Sequence, residues 1–259
     1  MDLELNGKRA LVTGASSGIG RAVALQLAAE GVHVAVSARR AALLDEVAAE
    51  ARARGVTAVA LPADVTDPDA AEQVVAAARR ALQGLDVLVN SAGGSSSGGV
   101  LDVPDADWEE NLRLKLLGTV RFSRAALPLL TRPGGVIVNV VGGSGKRPSA
   151  RSAVNSVVNA GLLAFSDLLA ADAAPQGIRV VAVNPGLTET PLLDRLVADR
   201  ARLEGVAADT MLAQMRAHAP LGRLGQPEDT ARAVAFLVSP LAAMISGAAI
   251  DLGGPAAGR

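Results

Sequence analysis

Seven short, valine-rich runs separated by alanine- and leucine-rich stretches constrain the fold of this chain more than any other feature. The runs occupy residues 9–14, 32–38, 57–65, 85–93, 135–142, 178–186 and 247–254. Apolar runs of this kind are typical of strands that are buried on both faces, and the stretches between them have the composition of helices. The alternation of strand and helix therefore predicts an α/β fold, a doubly wound parallel sheet of about seven strands with helices on both faces.

Nothing in the sequence divides the chain into separate domains. The 259 residues contain no linker, no repeat of fixed period and no low-complexity tract. The segment from about 188 to 225 has a weak strand pattern and two or more helical stretches, so we expect it to be an insertion that covers a substrate pocket. The predicted organisation is one domain over residues 1–259 that carries this lid.

Composition and charge exclude several classes of protein. The net charge is −1, so nothing in the charge favours nucleic acid or an anionic membrane as a partner. The chain has no Cys, and no cluster of His, Asp or Glu has metal-ligand spacing, so we expect neither disulfides nor a metal site. The amino terminus lacks the pattern of a signal region, and no uninterrupted apolar run reaches the ~20 residues of a membrane helix. We therefore expect a cytoplasmic protein whose partner is a small molecule.

A glycine-rich loop, TGASSGIG at 13–20, follows the first predicted strand and begins the first predicted helix. Gly14, Gly18 and Gly20 permit a tight turn, a close approach of the backbone to a pyrophosphate, and tight packing of helix on strand. Ligands of open parallel sheets bind beyond the carboxyl ends of the strands, so the loop predicts a dinucleotide site in a Rossmann-type fold. An ordinary strand-to-helix turn has a similar sequence, and this alternative stays open.

Several motifs together resemble those of the short-chain dehydrogenase/reductase family, and the resemblance covers essentially the whole chain. The glycine-rich loop is similar to the family's signature, and NSAG at 90–93 resembles its Asn-Asn-Ala-Gly, with Ser91 as a departure. NPGLTET at 184–190 is similar to the stretch around the nicotinamide, and GRLGQPEDTARAVAFLVSP with GAAIDLGG resembles the closing segment. By this resemblance we expect a nicotinamide cofactor at Gly14, Ser16, Ser17, Gly18, Ile19, Gly20, Asp64, Val65, Asn90, Ala92, Gly93, Asn159, Pro185, Gly186, Thr188 and Thr190.

The end of the second predicted strand favours one form of this cofactor. A site for NAD usually ends this strand with a carboxylate that binds the ribose hydroxyls, but Ala38 stands here and is followed by Arg39 and Arg40. A small residue beside two guanidinium groups suits a 2′-phosphate, which arginine can bind in bidentate geometry. The sequence therefore predicts NADP(H), with solvated loop arginines as the alternative.

The catalytic positions depart from the family's pattern. The resemblance implies a Tyr that donates a proton, a Lys four residues later, a Ser thirteen residues before the Tyr, and an Asn on the preceding helix. These positions fall on Asn155, Asn159, Gly142 and Lys115, and the chain contains no Tyr at all. Relative to the family, Lys and Asn have exchanged places between positions 115 and 159.

Two readings of these substitutions stay open at the level of sequence. Amides do not titrate near neutral pH, so Asn155 can orient a carbonyl and Asn159 can hold ribose hydroxyls, or both can satisfy each other or local backbone. A desolvated Lys115 can donate a proton or stabilise an alkoxide, or it can be an ordinary helix lysine with its head in water. Ser144, two residues out of register, is the best stand-in for the missing Ser.

Three functions fit this sequence. The first is an NADP(H)-dependent oxidoreductase, a carbonyl reductase of a small organic or natural-product-like substrate, with a non-standard active site. The second is a catalytically silent NADP(H)-binding homologue that acts as a partner subunit. The third is a non-redox isomerase or dehydratase on the same scaffold. The resemblance also implies a homo-oligomer, either a tetramer or a dimer.

Overall fold

A computed structural model describes residues 2–254 of the chain, so Met1 and 255–259, the ends of the predicted domain, lie outside the described part. Its centre is a seven-stranded sheet of order β3-β2-β1-β4-β5-β6-β7, in which every neighbouring pair is parallel. The strands are β1 Arg9–Thr13, β2 His33–Ala38, β3 Ala58–Pro62, β4 Val87–Asn90, β5 Val136–Val140, β6 Arg179–Pro185 and β7 Ala248–Leu252. Each predicted run contains one strand, and the predicted doubly wound sheet is confirmed.

Helices cover both faces of this sheet. They are α1 Gly18–Ala29, α2 Ala41–Arg52, α3 Ala70–Leu82, α4 Asp105–Asn111, α5 Gly118–Ala126, α6 Ala153–Ala173, α7 Pro191–Glu204, α8 Ala208–Ala217 and α9 Pro227–Val238. Successive strand residues point to opposite faces, so Val12 packs with α1, α2 and α9, while Leu11 packs with α3, α5 and α6. The core is therefore aliphatic on both sides, as the scarcity of aromatic residues requires.

The strand order reverses between β1 and β4, and this reversal positions the site. Chain connections leave β1 and β4 on opposite faces of the sheet, which opens a crevice beyond the carboxyl ends of these two strands. The glycine-rich loop after β1 and the loop after β4 lie at this crevice. The fold therefore brings two of the sequence motifs to one place.

A π-helical segment interrupts the long helical run between β4 and β5. Helix α4 continues into a π-helix at Leu112–Leu117, which continues into α5. Single π-helical turns of this kind occur frequently at functional sites because they change the direction in which side chains leave the helix. Lys115 lies within this segment.

Helix α6 is the most apolar long helix. With the turn after it, residues 153–176 are long and apolar enough to cross a membrane by length and composition alone. Polar residues, among them Asn155, Asn159 and Asp167, interrupt this stretch, so it contains no uninterrupted apolar run of ~20 residues. Leu169 and Ala173 are buried against the sheet, so packing in a core accounts for part of the apolar character.

The predicted insertion contains two helices, as the sequence indicates. Helices α7 and α8 lie within 188–225 and share a small core of their own. That core is formed by Leu193, Val197, Ala201, Met211, Met215 and Leu224. The first turns of α7 line the cavity, and that this segment is an insertion covering a substrate pocket stays a prediction.

Candidate functional site

A cavity of about 620 Å³ opens at the carboxyl edge of the sheet. Most residues expected at a cofactor line it: Gly14, Ser16, Ser17, Gly18, Ile19, Gly20, Arg39, Arg40, Asp64, Val65, Ala92, Gly93, Pro185, Gly186, Thr188 and Thr190. Lys115 lines the same cavity, whereas Asn90, Asn155, Asn159 and Ser144 do not. The fold thus collects one predicted catalytic residue and nearly the whole predicted cofactor set.

The glycine-rich loop leaves bare backbone at the cavity. Gly14 has a φ of +67°, and an added Cβ would lie 2.6 Å from the carbonyl oxygen of Ser91 and 2.7 Å from the backbone of Ala92. A Cβ on Gly20 would overlap the carbonyl of Gly14. Helix α1 begins at Gly18, and the Ser17 side chain makes no capping hydrogen bond. The first-turn N–H groups are therefore available to an anion, and the loop fits a pyrophosphate.

The end of β2 carries the features that a 2′-phosphate requires. Ala38 is small and buried where an NAD site usually has a carboxylate, and Arg39 and Arg40 follow it directly. Arg40 donates from Nη2 to the hydroxyls of Ser16 at 3.0 Å and Ser17 at 2.8 Å. These contacts hold its guanidinium at the glycine-rich loop, where the unused N–H groups can bind a phosphate.

The remaining cofactor motifs are held by short local hydrogen bonds. The Asp64 carboxylate accepts from the backbone N–H and the hydroxyl of Thr66, both at 2.9 Å. Thr188 donates to the carbonyl of Gly186 at 3.0 Å, and the Thr190 hydroxyl caps the first turn of α7. The two ends of the cavity are therefore shaped by backbone that these side chains fix.

Asn90 corrects one expectation. Its side chain is buried, and its amide donates to the hydroxyl of Ser123 at 3.0 Å and to Asn139 Oδ1 at 2.9 Å. Asn139 in turn donates to the hydroxyl of Ser166 at 2.9 Å. This buried polar chain joins β4 and β5 to α5 and α6, so the Asn90 side chain serves the fold and does not reach the cavity.

Lys115 is one of the titratable groups that line the cavity. Its Nζ donates to the carbonyl oxygen of Val141 at 2.5 Å and to Asn159 Oδ1 at 2.7 Å. Its stem lies beside Gly93, where an added Cβ would be 3.5 Å from the lysine Cδ. Burial lowers the pKa of Lys115 from 10.5 to about 8. An ammonium has three N–H donors, so one remains beyond the two used here.

Asn159 and Ser144 lie behind Lys115 rather than in the cavity. Asn159 accepts from Lys115 through Oδ1 and donates through Nδ2 to the hydroxyl of Ser144 at 2.8 Å. The positive donor fixes which end of the amide faces the lysine. Asn159 does not line the cavity, and it uses Oδ1 and one N–H of Nδ2 inside the fold. Its expected role in holding ribose hydroxyls stays a prediction.

Asn155 also uses its amide inside the fold. Its Nδ2 lies within hydrogen-bond distance of the Ser95 hydroxyl (2.9 Å), the Ser96 carbonyl (3.0 Å) and the Ser152 hydroxyl (2.8 Å). Its Oδ1 accepts from the backbone N–H of Ser96 at 3.3 Å. Asn155 therefore holds the loop after β4, and its role in orienting a carbonyl stays a prediction. Sequence reasoning missed Ser95, which lines the cavity; the run of three serines after the NSAG motif is the signal for it.

Gly142 lies where an added side chain would be strained. Its φ is +138°, and an added Cβ would lie 2.8 Å from Asn159 Nδ2. A Cβ on Gly145 would lie 2.7 Å from the backbone carbon of Asn159. The loop after β5 therefore packs directly on α6 at Asn159, and this packing requires glycine.

A family model, a curated relative and solved structures all resemble this chain over nearly its whole length. A family model described as "Enoyl-(Acyl carrier protein) reductase" matches residues 14–254. The chain is 34% identical over 249 residues to the 3-oxoacyl-[acyl-carrier-protein] reductase FabG of Staphylococcus aureus, covering 95% of this chain and 97% of that protein. The structure of an actinorhodin polyketide ketoreductase variant with NADPH has a TM-score of 0.89 at 33% identity, covering 95% of this chain and 96% of that one. The structure of an NAD+-bound xylitol dehydrogenase has a TM-score of 0.91 at 28% identity, covering 97% of this chain and 100% of that one. The fold alone therefore accommodates either cofactor.

We predict that Gly142→Ser destabilises the protein by about 1–3 kcal/mol, because it places a side chain at a strained φ and against the Asn159 amide. Urea denaturation of both proteins at pH 7 measures this difference. Gly143→Ser is the matched control, since its added Cβ meets only Arg147 Nη2 at 3.8 Å. Equal stability of the two variants would contradict the prediction.

Proposed function

This chain belongs to the short-chain dehydrogenase/reductase family of oxidoreductases, and we propose that it is an NADP(H)-dependent carbonyl reductase in which Lys115 is the acid. The substrate class we propose is a small organic or natural-product-like ketone. One observation carries this proposal: the ammonium of Lys115 lines the same cavity as the glycine-rich loop and Arg40.

The residues that would hold NADP(H) follow from the cavity. The backbone of the glycine-rich loop and the start of α1 suit the pyrophosphate, and Arg39 with Arg40 suits the 2′-phosphate. By the family resemblance, Asp64 and Val65 would border the adenine, and Pro185, Gly186, Thr188 and Thr190 would border the nicotinamide; all of them line the cavity. When bound, the reduced nicotinamide supplies a hydride to a carbonyl carbon.

Lys115 supplies the proton for the carbonyl oxygen in this proposal. With a pKa of about 8, its amine is ~90% protonated at pH 7, so the acid form dominates. The proton passes from Nζ to the oxygen, which becomes a hydroxyl, and the neutral amine regains a proton from water. Val141 and Asn159 hold two of the three N–H directions, which leaves the third for the substrate.

We predict that Lys115→Met lowers kcat/KM about 10²–10⁴-fold, the usual contribution of a general acid. The assay follows NADPH absorbance at 340 nm with a panel of quinones, cyclic ketones and diketones. NADPH affinity, measured by fluorescence titration, stays nearly unchanged. The wild-type rate falls as pH rises through about 8, because the free amine has no proton to give, and this limb is missing in the variant.

The matched control for this variant is Arg113→Met, which removes an exposed cation from the same π-helical segment. Its turnover should equal that of the wild type. Unchanged turnover in Lys115→Met, or an equal loss in both variants, would contradict the assignment of Lys115.

We also predict that Arg40→Ala raises the Kd for NADPH about 10-fold or more and leaves the Kd for NADH unchanged. Hydrogen bonds from a charged group to phosphate are worth about 1.5–3 kcal/mol, which corresponds to this factor. Arg54→Ala, an exposed arginine bonded only to the Glu50 carbonyl, is the control. Comparable affinity of the wild type for NADPH and NADH would refute the preference.

A second function is favoured by one observation, the absence of Tyr from the whole chain. On this alternative the protein binds NADP(H) and stabilises a related subunit without turnover. Tight NADPH binding without consumption across the whole panel supports it. A product change with no change in the cofactor supports a non-redox isomerase or dehydratase instead.

We propose that the protein assembles as a homo-oligomer through α6. Its cytoplasmic location stays a prediction. Leu168 and Val157 on α6 are 68% and 54% exposed, an apolar surface that a second copy would cover. We predict that Leu168→Glu shifts the sedimentation coefficient at micromolar concentration to that of a monomer. Leu203→Glu, at a 52% exposed site on α7, leaves it unchanged. A monomeric wild type would contradict this proposal.

A further inference from the structure

The hydroxyl of Ser95 has an uncommitted proton at the cavity. Ser95 lines the cavity, and its Oγ accepts a hydrogen bond from Asn155 Nδ2 at 2.9 Å. Because the amide nitrogen can only donate, the serine proton is not used in this contact. Within residues 2–254, no side chain or carbonyl accepts that proton. Asn155 Nδ2 has two N–H groups and three oxygens within reach, those of Ser95, Ser96 and Ser152, so the Ser95 hydroxyl is placed to accept from it and keeps its own proton for another partner.

The two amides of α6 each hydrogen-bond a polar group that lines the cavity. Asn155 and Asn159 lie four residues apart on one face of the helix, a rise of about 6 Å. Asn159 holds Lys115, and Asn155 holds Ser95. Each held group lines the cavity and retains one N–H or O–H after its contacts within the fold are counted.

Ser95 and Lys115 line the same cavity, and Gly93 lies between them in the sequence of contacts. Gly93 packs beside the lysine stem, and Ser95 follows it by two residues, so their Cα atoms are at most about 7.6 Å apart. The end of β5 offers no hydroxyl at this cavity, since Gly142 lines it and Ser144 bonds Asn159 instead. The loop after β4 is thus the side from which a hydroxyl reaches the region of Lys115.

We propose that Ser95 donates a hydrogen bond to the carbonyl oxygen of the substrate and that Asn155 is the residue that positions this hydroxyl. The inference rests on the proposed function in one respect, that the substrate is a carbonyl compound. Ser95 polarises the carbonyl and forms no bond to it, while Lys115 supplies the proton. The pair of amides on α6 thereby holds two donors toward one oxygen, one neutral and one charged.

The first test removes the hydroxyl. Ser95→Ala should lower kcat/KM for ethyl acetoacetate about 100–1,000-fold, the range for loss of one donor to a developing oxyanion, with NADPH affinity unchanged. Ser95→Thr, which keeps a hydroxyl, should recover most of this loss. Ser97→Ala is the matched control, because its buried hydroxyl belongs to the same loop and has no partner among the described residues. Equal rates for Ser95→Ala and Ser97→Ala would overturn the proposal.

The second test needs no turnover, so it separates this inference from the proposed function. Infrared difference spectra are recorded for ethyl acetoacetate, labelled with carbon-13 at the ketone, on the protein with NADP+. A hydrogen bond lowers the carbonyl stretching frequency, so the wild type should show a lowered band that Ser95→Ala loses. No lowered band in the wild type, or a band that persists in Ser95→Ala, overturns the proposal. A wild type that reduces no ketone but shows this loss refutes the reductase and supports Ser95.

The role of Asn155 is tested by Asn155→Asp. A carboxylate cannot donate, so the Ser95 hydroxyl would turn toward it and away from the substrate. Asn155→Asp should lose the band and the rate as Ser95→Ala does, and the double variant should be no worse than Ser95→Ala. If the losses in kcat/KM of the two single variants add in the double variant, and Asn155→Asp retains the lowered band, then Asn155 has a structural role alone. Thermal unfolding of each variant confirms that the compared proteins are folded.

Discussion

The contact of Lys115 with Asn159 is the interaction on which the rest of the site depends. Lys115 comes from the π-helical segment, Asn159 from α6, and the second acceptor, the Val141 carbonyl, from the end of β5. One ammonium therefore ties three elements together at the carboxyl edge of the sheet. A buried charge is costly without partners, and the two acceptors offset that cost. The same burial lowers the pKa of Lys115 to about 8, so the packing requirement and the chemical property have one cause.

Missing side chains shape this site as much as present ones. Gly142 and Gly145 allow the loop after β5 to lie against α6, where Asn159 turns toward Lys115. Gly14 allows the loop after β1 to lie against Ser91 and Ala92 at the other end of the cavity. In both places a Cβ would separate two backbones by more than the fold permits. The contact between Lys115 and Asn159 is therefore accompanied by a backbone that accommodates it.

The cofactor side of the site could be predicted well because its signals are local. The glycine-rich loop, Arg40 and the 185–190 segment each act within a few residues of a strand end, and the parallel sheet brings all strand ends to one edge. Asn159 is one exception within this set, and Asn90 is the other. Its side chain meets Ser123 and Asn139, which lie 33 and 49 residues away, and no local pattern indicates those partners.

The sequence by itself determined the parallel sheet and the position of each strand, because apolar periodicity is a property of neighbouring residues. Only the tertiary structure decided which groups Lys115, Asn155 and Asn159 contact. It paired Asn159 with Lys115, 44 residues away, and Asn155 with Ser95, 60 residues away. The direction of a hydrogen bond depends on which group faces an amide across the packed interior. That information arises only when distant elements are brought together.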